Sequence, residues 1–259
     1  RNIFEAPNFS LTHMIIGIDA SRAFVKNKTG IEEYAYRVIK HLINNLREEQ
    51  VILYLNPRVN KPEYIGFDLP KNWKTKFLRA PIFWTQARLS LEMLFHPVDV
   101  LFVPAHTVPL IHPKNTIVTI HGLEYEFCPG AYSFFERWYM RLVIKNSCQW
   151  AKRVIAVSEN TKKDLERLYN VQADKIKVIY EGYDDDNFKF QISNFKSNPN
   201  DKILSFKNYF LFVGRLEERK NIIGVVEAFE ELKIKYKISQ KLILAGKFGY
   251  GGERIRNRV

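Results

Sequence analysis

Short apolar runs alternate with amphipathic helical patterns along most of the chain, and this alternation limits the fold more than any other feature. The runs are rich in β-branched residues and show no apolar–polar alternation, as expected for strands that are buried on both faces. They occupy residues 14–19 (MIIGID), 51–55 (VILYL), 100–103, 116–120 (TIVTI), 154–157 and 176–179.

Helical patterns fill the gaps between these runs. In residues 31–46 the apolar side chains recur every three or four positions, with charged residues opposite them. Segments 132–150 and 159–168 follow the same rule, and Ser158 is a suitable N-cap for the latter. Regular alternation of strands and helices predicts a parallel, doubly wound sheet.

The pattern stops over residues 184–208, which are polar and rich in asparagine, and then restarts. Strands are predicted at 209–213 and 241–245, with a helix at 221–235 between them. We therefore predict an α/β fold with two domains, 14–183 and 209–259, joined by a linker at 184–208. We expect the second domain to be incomplete, because two strands cannot close a sheet.

Composition narrows the cellular setting and the class of partner. The net charge of +12 suits nucleotide diphosphates, acidic lipid head groups or nucleic acid, or is simply solvated surface charge. Cys128 and Cys148 match no metal-binding spacing, and two cysteines predict a reduced, cytoplasmic compartment. No apolar run reaches the roughly 18–20 residues of a membrane span, and residues 1–13 lack a secretory pattern. A soluble or peripheral protein is expected.

Two loops of the first predicted domain follow strand ends, where open α/β sheets bind their ligands. Thr29 and Gly30 open the first helix, so the free N–H groups there form either an anion site or an ordinary helix cap. His121 stands at the end of strand 116–120, either as a catalytic group or as a structural hydrogen-bonding residue.

A third loop, 214–220, carries the most informative local feature. Arg215 and Lys220 lie beside the predicted start of a helix, where the helix dipole repels cations. A phosphate bound between the two would resolve this conflict, and the planar guanidinium suits it. The alternative is that Glu217 and Glu218 partly neutralise solvated cations.

Three further segments give weaker signals. The run Asp184–Asp186 is either a metal-binding motif or a solvated turn, and the glycine-rich segment 246–252 lacks the spacing of a phosphate loop. The basic aromatic stretch 73–95 either makes peripheral membrane contact or packs against the first sheet. No nucleic-acid-binding motif is present, so no nucleic acid partner is predicted.

Several ordered motifs together resemble the family 4 retaining glycosyltransferases, which have the two-domain GT-B fold. The motifs are GIDASR, TGIEEYAYRVIKHL, DVLFVPAHTVPL, TIHGLEYE, RVIAVSENTKKDLERLYNV, KIKVIYEGYD and YFLFVGRLEERKNIIGVVEAF. The resemblance implies two Rossmann-like domains, with the acceptor side in 14–183 and a partial donor-binding domain in 209–259.

It also implies a reaction: transfer of a hexose, for example mannose, from a nucleotide diphosphate sugar to a saccharide or lipid-linked acceptor in polysaccharide biosynthesis. By this resemblance Gly30 approaches the donor phosphates, His121 contacts the donor sugar, and Arg215 and Lys220 hold the diphosphate. His121, Arg215 and Lys220 are the implied catalytic residues, with no metal and no cofactor beyond the nucleotide sugar. A nucleic-acid-binding module and a sugar-phosphate-binding protein of the same fold remain the alternatives.

The chain departs from the family pattern in three places. Gly122 stands where many relatives have aspartate after the motif histidine, and residues 180–183 (YEGY) replace a common Pro-Asn-Gly-Val. The resemblance implies that the paired-glutamate motif of the family lies beyond Val259. We therefore expect the 259-residue chain to be inactive or nearly so. Separately, any membrane contact is expected at the inner face of the membrane.

Overall fold

The computed structural model describes residues 14–182 and 209–259. The chain divides into two compact units, Arg1–Gly182 and Tyr183–Val259, and each is described by itself. The predicted linker, with the acidic run Asp184–Asp186, lies outside the described residues. The domain limits 14–183, 184–208 and 209–259 stay a prediction.

The first unit contains a seven-stranded sheet in which every pair of neighbouring strands is parallel, in the order β3-β2-β1-β4-β5-β6-β7. Its strands are β1 (Ile15–Asp19), β2 (Gln50–Leu55), β3 (Trp73–Phe77), β4 (Val100–Val103), β5 (Thr116–Ile120), β6 (Arg153–Ala156) and β7 (Ile176–Val178). The predicted α/β class with a parallel sheet is confirmed. The strand order reverses between β1 and β4, which makes the carboxyl ends of these two strands the expected place for a ligand.

Five α-helices are described in this unit: α1 (Gly30–Leu42), α2 (Ser90–Phe95), α3 (Glu124–Phe127), α4 (Phe134–Trp150) and α5 (Glu159–Tyr169). A π-helical segment, Trp84–Leu89, leads directly into α2. The Ser158 hydroxyl accepts the backbone N–H of Thr161 at 3.0 Å, which confirms it as the N-cap of α5. The three long helices lie within a few residues of the segments that periodicity predicted.

Both faces of the sheet are buried, which explains why the strands lack alternation. Val51, Leu53 and Leu55 pack in one cluster with Ala35 and Ile39 of α1. Tyr54, between them in sequence, points the other way and belongs to a second cluster. Alternate residues of one strand therefore serve two separate cores, one on each face of the sheet.

The stretch 73–95 contains a strand that sequence reasoning did not predict. β3 pairs with β2 at the edge of the sheet, where only Trp73 is buried and its polar neighbours face outward. Trp84, Leu89 and Met93 are buried, so much of the stretch packs against the sheet. Its exposed apolar side chains include Ile82, Phe83, Leu94 and Phe95.

In the second unit, β8 (Tyr209–Val213) and β9 (Lys241–Ala245) form a parallel pair, with α6 (Ile222–Tyr236) between them in sequence. These elements are as predicted, whereas α7 (Gly252–Arg258), which follows the glycine-rich segment, was not. Leu216, Ile222 and Ile255 form a small core. Across the two described ranges, no helix combines the length and apolar character needed to cross a bilayer.

Candidate functional site

The candidate site of the first unit lies where the carboxyl ends of β1, β4, β5 and β7 meet at one edge of the sheet. Asp19 ends β1, His106 follows β4, His121 follows β5 and Glu181 follows β7. Asp19 is buried, and its Oδ1 accepts the backbone N–H of Ser21 at 3.0 Å. Burial raises the pKa of this carboxyl despite that hydrogen bond.

The His121 ring is almost enclosed, since only 8% of its side chain is exposed. Its Nδ1 lies 3.0 Å from Glu181 Oε1 and its Nε2 lies 3.0 Å from the Pro104 carbonyl oxygen. A carboxylate and a carbonyl can only accept. Both contacts are therefore hydrogen bonds only when the ring carries both protons, as an imidazolium.

His106 supports His121 from one side and was missed by sequence reasoning. The two rings are stacked with centroids 5.2 Å apart, and His106 Nε2 accepts the backbone N–H of His121 at 3.4 Å. Burial, followed by the nearby His121 and Arg22, lowers the pKa of His106 to about 3. His106 is therefore neutral at neutral pH. It lies three residues beyond the end of β4, so the rule that identified His121 directly after a strand does not identify it.

Tyr34 of α1 supports His121 from another direction. Its ring meets the His121 ring edge-on at 4.6 Å, and its hydroxyl lies 3.3 Å from Thr119 Oγ1. Burial raises the pKa of this phenol, and the carboxylate of Glu181 raises it further. In the sequence Tyr34 is one of several apolar positions on α1, so no signal distinguished it from a core residue.

Gly30 is the first residue of α1, and Tyr34 lies about one turn further along the same helix. Both residues therefore lie near this edge of the sheet. Thr29 and Glu32 form a capping box there, and Glu32 Oε2 accepts the Thr29 backbone N–H at 3.0 Å. Arg22 pairs with Glu32 at 3.2 Å. The start of α1 therefore has an ordinary helix cap. A Cβ added at Gly30 would meet nothing within 4 Å, so the space beside its backbone is open to a ligand.

In the second unit, segments 214–220 and 246–252 are held together by backbone hydrogen bonds that extend the β8–β9 ladder. Leu216 N–H donates to Lys247 O at 2.9 Å, and Gly249 N–H donates to Leu216 O at 3.0 Å. A Cβ built on Gly246 would lie 1.7 Å from the carbonyl oxygen of Gly214, so only glycine fits there. The glycines of 246–252 therefore allow close approach of two loops.

The predicted cations Arg215 and Lys220 lie on this doubled loop. Arg215 Nε is 3.6 Å from Glu217 Oε2, and Arg219 Nε is 2.6 Å from Glu217 Oε1. Glu217 is buried, whereas 64% of the Arg215 side chain is exposed. The carboxylate thus neutralises part of the positive charge, as the alternative reading expected, while the exposed guanidinium can still reach a ligand. Lys220 is also exposed.

A cavity of about 260 Å³ lies at the N-terminal ends of α6 and α7. Two carboxylates, Glu218 and Glu227, are part of its wall, and neither Arg215 nor Lys220 lines it. Arg254 is also part of the wall, so the lining combines negative and positive side chains. Within residues 14–182 and 209–259, no group of three or more His, Cys, Asp or Glu side chains could hold a metal ion.

Comparison with known protein families shows to which family this chain belongs. The profile of Glycosyltransferase Family 4 matches residues 28–187, and that of Glycosyl transferases group 1 matches residues 175–257. The first match covers more than half of the chain. The chain belongs to glycosyltransferase family 4.

Two relatives of this family 4 protein are named O-antigen chain mannosyltransferases. The O-antigen chain mannosyltransferase RfbU of Salmonella typhimurium is 25% identical over 87% of this chain and 61% of its own length. The O-antigen chain mannosyltransferase B of Escherichia coli is 26% identical over 53% of this chain and 36% of its own length. The chain therefore spans less than two thirds of the length of either relative.

A solved structure shares the fold of this family 4 chain. WaaG, a glycosyltransferase involved in lipopolysaccharide biosynthesis, aligns with a TM-score of 0.54 over 95% of this chain and 68% of the WaaG chain, at 13% identity. The likeness confirms the predicted GT-B type α/β fold.

The buried His106 predicts that this family 4 protein loses stability in mild acid. The unfolded chain binds a proton at His106 near pH 6.5, whereas the folded protein does so only near pH 3. Its contribution to stability is thus complete above pH 6.5 and falls by about 1.4 kcal/mol for each pH unit below that value. Urea unfolding of wild type and His106→Asn from pH 7 to pH 4 measures this slope. If the free energy of unfolding falls with pH equally steeply in wild type and in His106→Asn, the prediction is wrong.

Proposed function

We propose that this protein is a retaining glycosyltransferase that moves a hexose, with mannose favoured, from a nucleotide diphosphate sugar to a hydroxyl of a saccharide or lipid-linked acceptor. The observation that carries the proposal is the match to an O-antigen chain mannosyltransferase along 87% of the chain. Family 4 membership supports the reaction class, and the names of two relatives support mannose and a polysaccharide product.

The reaction breaks the bond between the anomeric carbon and the diphosphate and forms a bond from that carbon to the acceptor oxygen. The leaving diphosphate gains negative charge as its bond breaks. Arg215 and Lys220 are exposed cations that can stabilise this charge, and the open backbone at Gly30 can approach the donor phosphates. We propose that these protein groups provide the positive charge, so that turnover needs no metal ion.

A donor screen separates this proposal from a sugar-phosphate-binding protein of the same fold. Nucleotide diphosphate hexoses should raise the Tm of the gene product at its natural length, whereas hexose phosphates should not, because they lack the nucleotide and the second phosphate. Stabilisation by hexose phosphates alone would contradict the proposal. A single-stranded RNA whose tight binding weakens steeply with salt would instead support a nucleic-acid-binding module.

Substitution of Gly30 tests whether the start of α1 meets the donor. A Cβ at this position contacts nothing within 4 Å, and alanine favours helix, so Gly30→Ala should leave Tm unchanged or raise stability by up to about 1 kcal/mol. If donor phosphates approach this backbone, the added methyl should raise the KM for the donor by about tenfold. Lys40→Ala, at an exposed position in the last turn of α1, is the control. An unchanged KM in Gly30→Ala would remove this residue from the donor site.

We also propose that the tip at residues 82–83 contacts an anionic membrane surface. Ile82 and Phe83 are 67% and 63% exposed, and Phe83 has a left-handed backbone with φ of 50°, which is unfavourable for a bulky side chain. Backbone strain of this kind clusters at functional positions. Arg79 is exposed nearby in sequence, whereas Lys76 and Arg88 form ion pairs with the buried Glu92.

The membrane contact predicts co-sedimentation with vesicles of phosphatidylcholine and phosphatidylglycerol. The double variant Ile82→Ser, Phe83→Ser should weaken binding at least about tenfold, because two large apolar side chains leave the interface. The matched control is Phe134→Ser, Phe135→Ser on α4, which removes two aromatic side chains that are exposed to a similar degree. Loss of binding in the control pair alone would place the contact on α4 and contradict the proposal.

A further inference from the structure

We propose that Arg22 binds a phosphate group of one of the two reactants of the transfer reaction. This inference rests on the proposed function. The phosphate is either part of the nucleotide diphosphate donor or the group that links a lipid acceptor to its saccharide. The two sources share one chemistry, recognition of a phosphate by a guanidinium, and kinetics with matched acceptors separates them.

Arg22 lies where the strand order of the sheet reverses. It follows the end of β1 by three residues. Its positive charge acts on Asp19 at the end of β1 and on His106 after β4, the two strands between which the order changes. Open α/β sheets bind their ligands at this point. The guanidinium is therefore part of the candidate site of the first unit.

The loop that carries Arg22 is fixed by buried groups on both sides of it. Phe24 is fully buried. The side-chain amide of Asn60, which is only 1% exposed, donates to the carbonyl oxygens of Ser21 and Phe24 at 2.9 and 3.0 Å. A cation on a loop that is already ordered loses little conformational freedom when a ligand binds, so less of the binding energy is lost.

The carboxylates that interact with Arg22 are buried, whereas its own side chain faces solvent. Asp19 and Glu32 are 7% and 9% exposed, and Glu32 Oε1 accepts a hydrogen bond from Arg22 Nη1 at 3.2 Å. The Arg22 side chain is 65% exposed. Segment 20–30 also contains two lysines and no acidic residue. A ligand that approaches this loop from solvent therefore meets positive charge, which attracts an anion.

The shape of the cation favours a phosphate. A guanidinium has five N–H donors in a planar fork, and Glu32 holds one corner of that fork. Two parallel hydrogen bonds from such a fork match two phosphate oxygens. Glu32 Oε2 also accepts the Thr29 backbone N–H at 3.0 Å, so the fork lies close to Gly30, where an added Cβ would meet nothing within 4 Å. Space for a phosphate is therefore open beside Arg22.

The test uses the gene product at its natural length with the nucleotide hexose that it turns over best. Arg22→Ala should raise the KM for the phosphate-bearing reactant about 10- to 100-fold, because a charge-assisted hydrogen bond is lost. Arg22→Lys should have a smaller effect, since the charge remains but the planar fork does not. Lys26→Ala removes an exposed cation from the same loop and should behave as wild type. The Tm of each variant shows whether it is folded.

Matched acceptors identify which phosphate Arg22 binds. If it is the donor phosphate, Arg22→Ala raises the KM for the donor and leaves the KM for the acceptor unchanged. If it is the acceptor phosphate, the KM rises for a saccharide attached to a lipid through diphosphate, but not for the same saccharide without phosphate. KM values within about twofold of wild type for every reactant, or equal losses in Lys26→Ala, would overturn this inference alone. Failure of the wild type to use any nucleotide hexose would overturn the proposed function as well.

Discussion

Arg215→Ala and Lys220→Ala should each lower the kcat/KM for the donor by about 10²–10³. Each substitution removes one preorganised cation from the place where the leaving diphosphate gains charge, and loss of such a group costs roughly 3–4 kcal/mol of transition-state stabilisation. The exposed Arg215 side chain contributes little to folding, because ion pairs of exposed side chains are weak. Steady-state release of nucleoside diphosphate from the donor measures the effect.

The control for these two variants is Lys233→Ala, which removes an exposed cation from the last turn of α6. It should retain wild-type turnover, since it changes net charge without touching the segment 214–220. Equal losses in Lys233→Ala and Arg215→Ala would mean that overall charge matters and that the predicted position does not. Wild-type turnover in both Arg215→Ala and Lys220→Ala would remove these residues from the reaction.

Gly246→Ala should destabilise the second unit by roughly 3 kcal/mol or more, at the upper end of overpacking effects. The new Cβ would lie 1.7 Å from the Gly214 carbonyl oxygen, and only movement of the backbone can relieve that overlap. Such movement separates segment 246–252 from segment 214–220, which carries Arg215. Hydrogen exchange of the β8 and β9 amides and donor turnover should therefore both respond.

Gly182→Ala supplies the comparison for this glycine, because a Cβ there has no neighbour within 4 Å. Gly249→Ala should have an intermediate effect, since its Cβ would meet the end of the Glu217 side chain at 2.6 Å instead of fixed backbone. A Gly246→Ala protein with wild-type exchange rates would contradict the close approach of the two loops.

The parts of the fold that the sequence predicts well are those in which local pattern and burial agree. β1, β2, β4 and β5 are apolar on both faces, and α5 has a serine N-cap, so periodicity and capping identify them. β3 is different, because an edge strand buries only Trp73 and shows no regular pattern. The short α7 follows a glycine-rich segment that favours a loop reading.

The candidate site was predictable only where a residue follows a strand directly. His121 satisfies that rule, whereas His106 lies three residues beyond the end of β4. Tyr34 and Glu181 are brought to the His121 ring by folding of distant segments. Tyr34 is 85 residues from its hydrogen-bond partner Thr119, and Glu181 is 60 residues from His121. Local pattern carries no information about contacts at such sequence separations. The Glu217 ion pairs were foreseen only as an alternative to phosphate binding.

A ¹H NMR time course of the gene product at its natural length, with a panel of nucleotide diphosphate hexoses and EDTA, tests the central claim most directly. We expect one donor, with mannose as the favoured sugar, to be consumed without metal and to yield nucleoside diphosphate and a product that keeps the anomeric configuration of the donor. Inverted configuration, a strict requirement for a divalent metal, or no consumption of any donor would contradict the account.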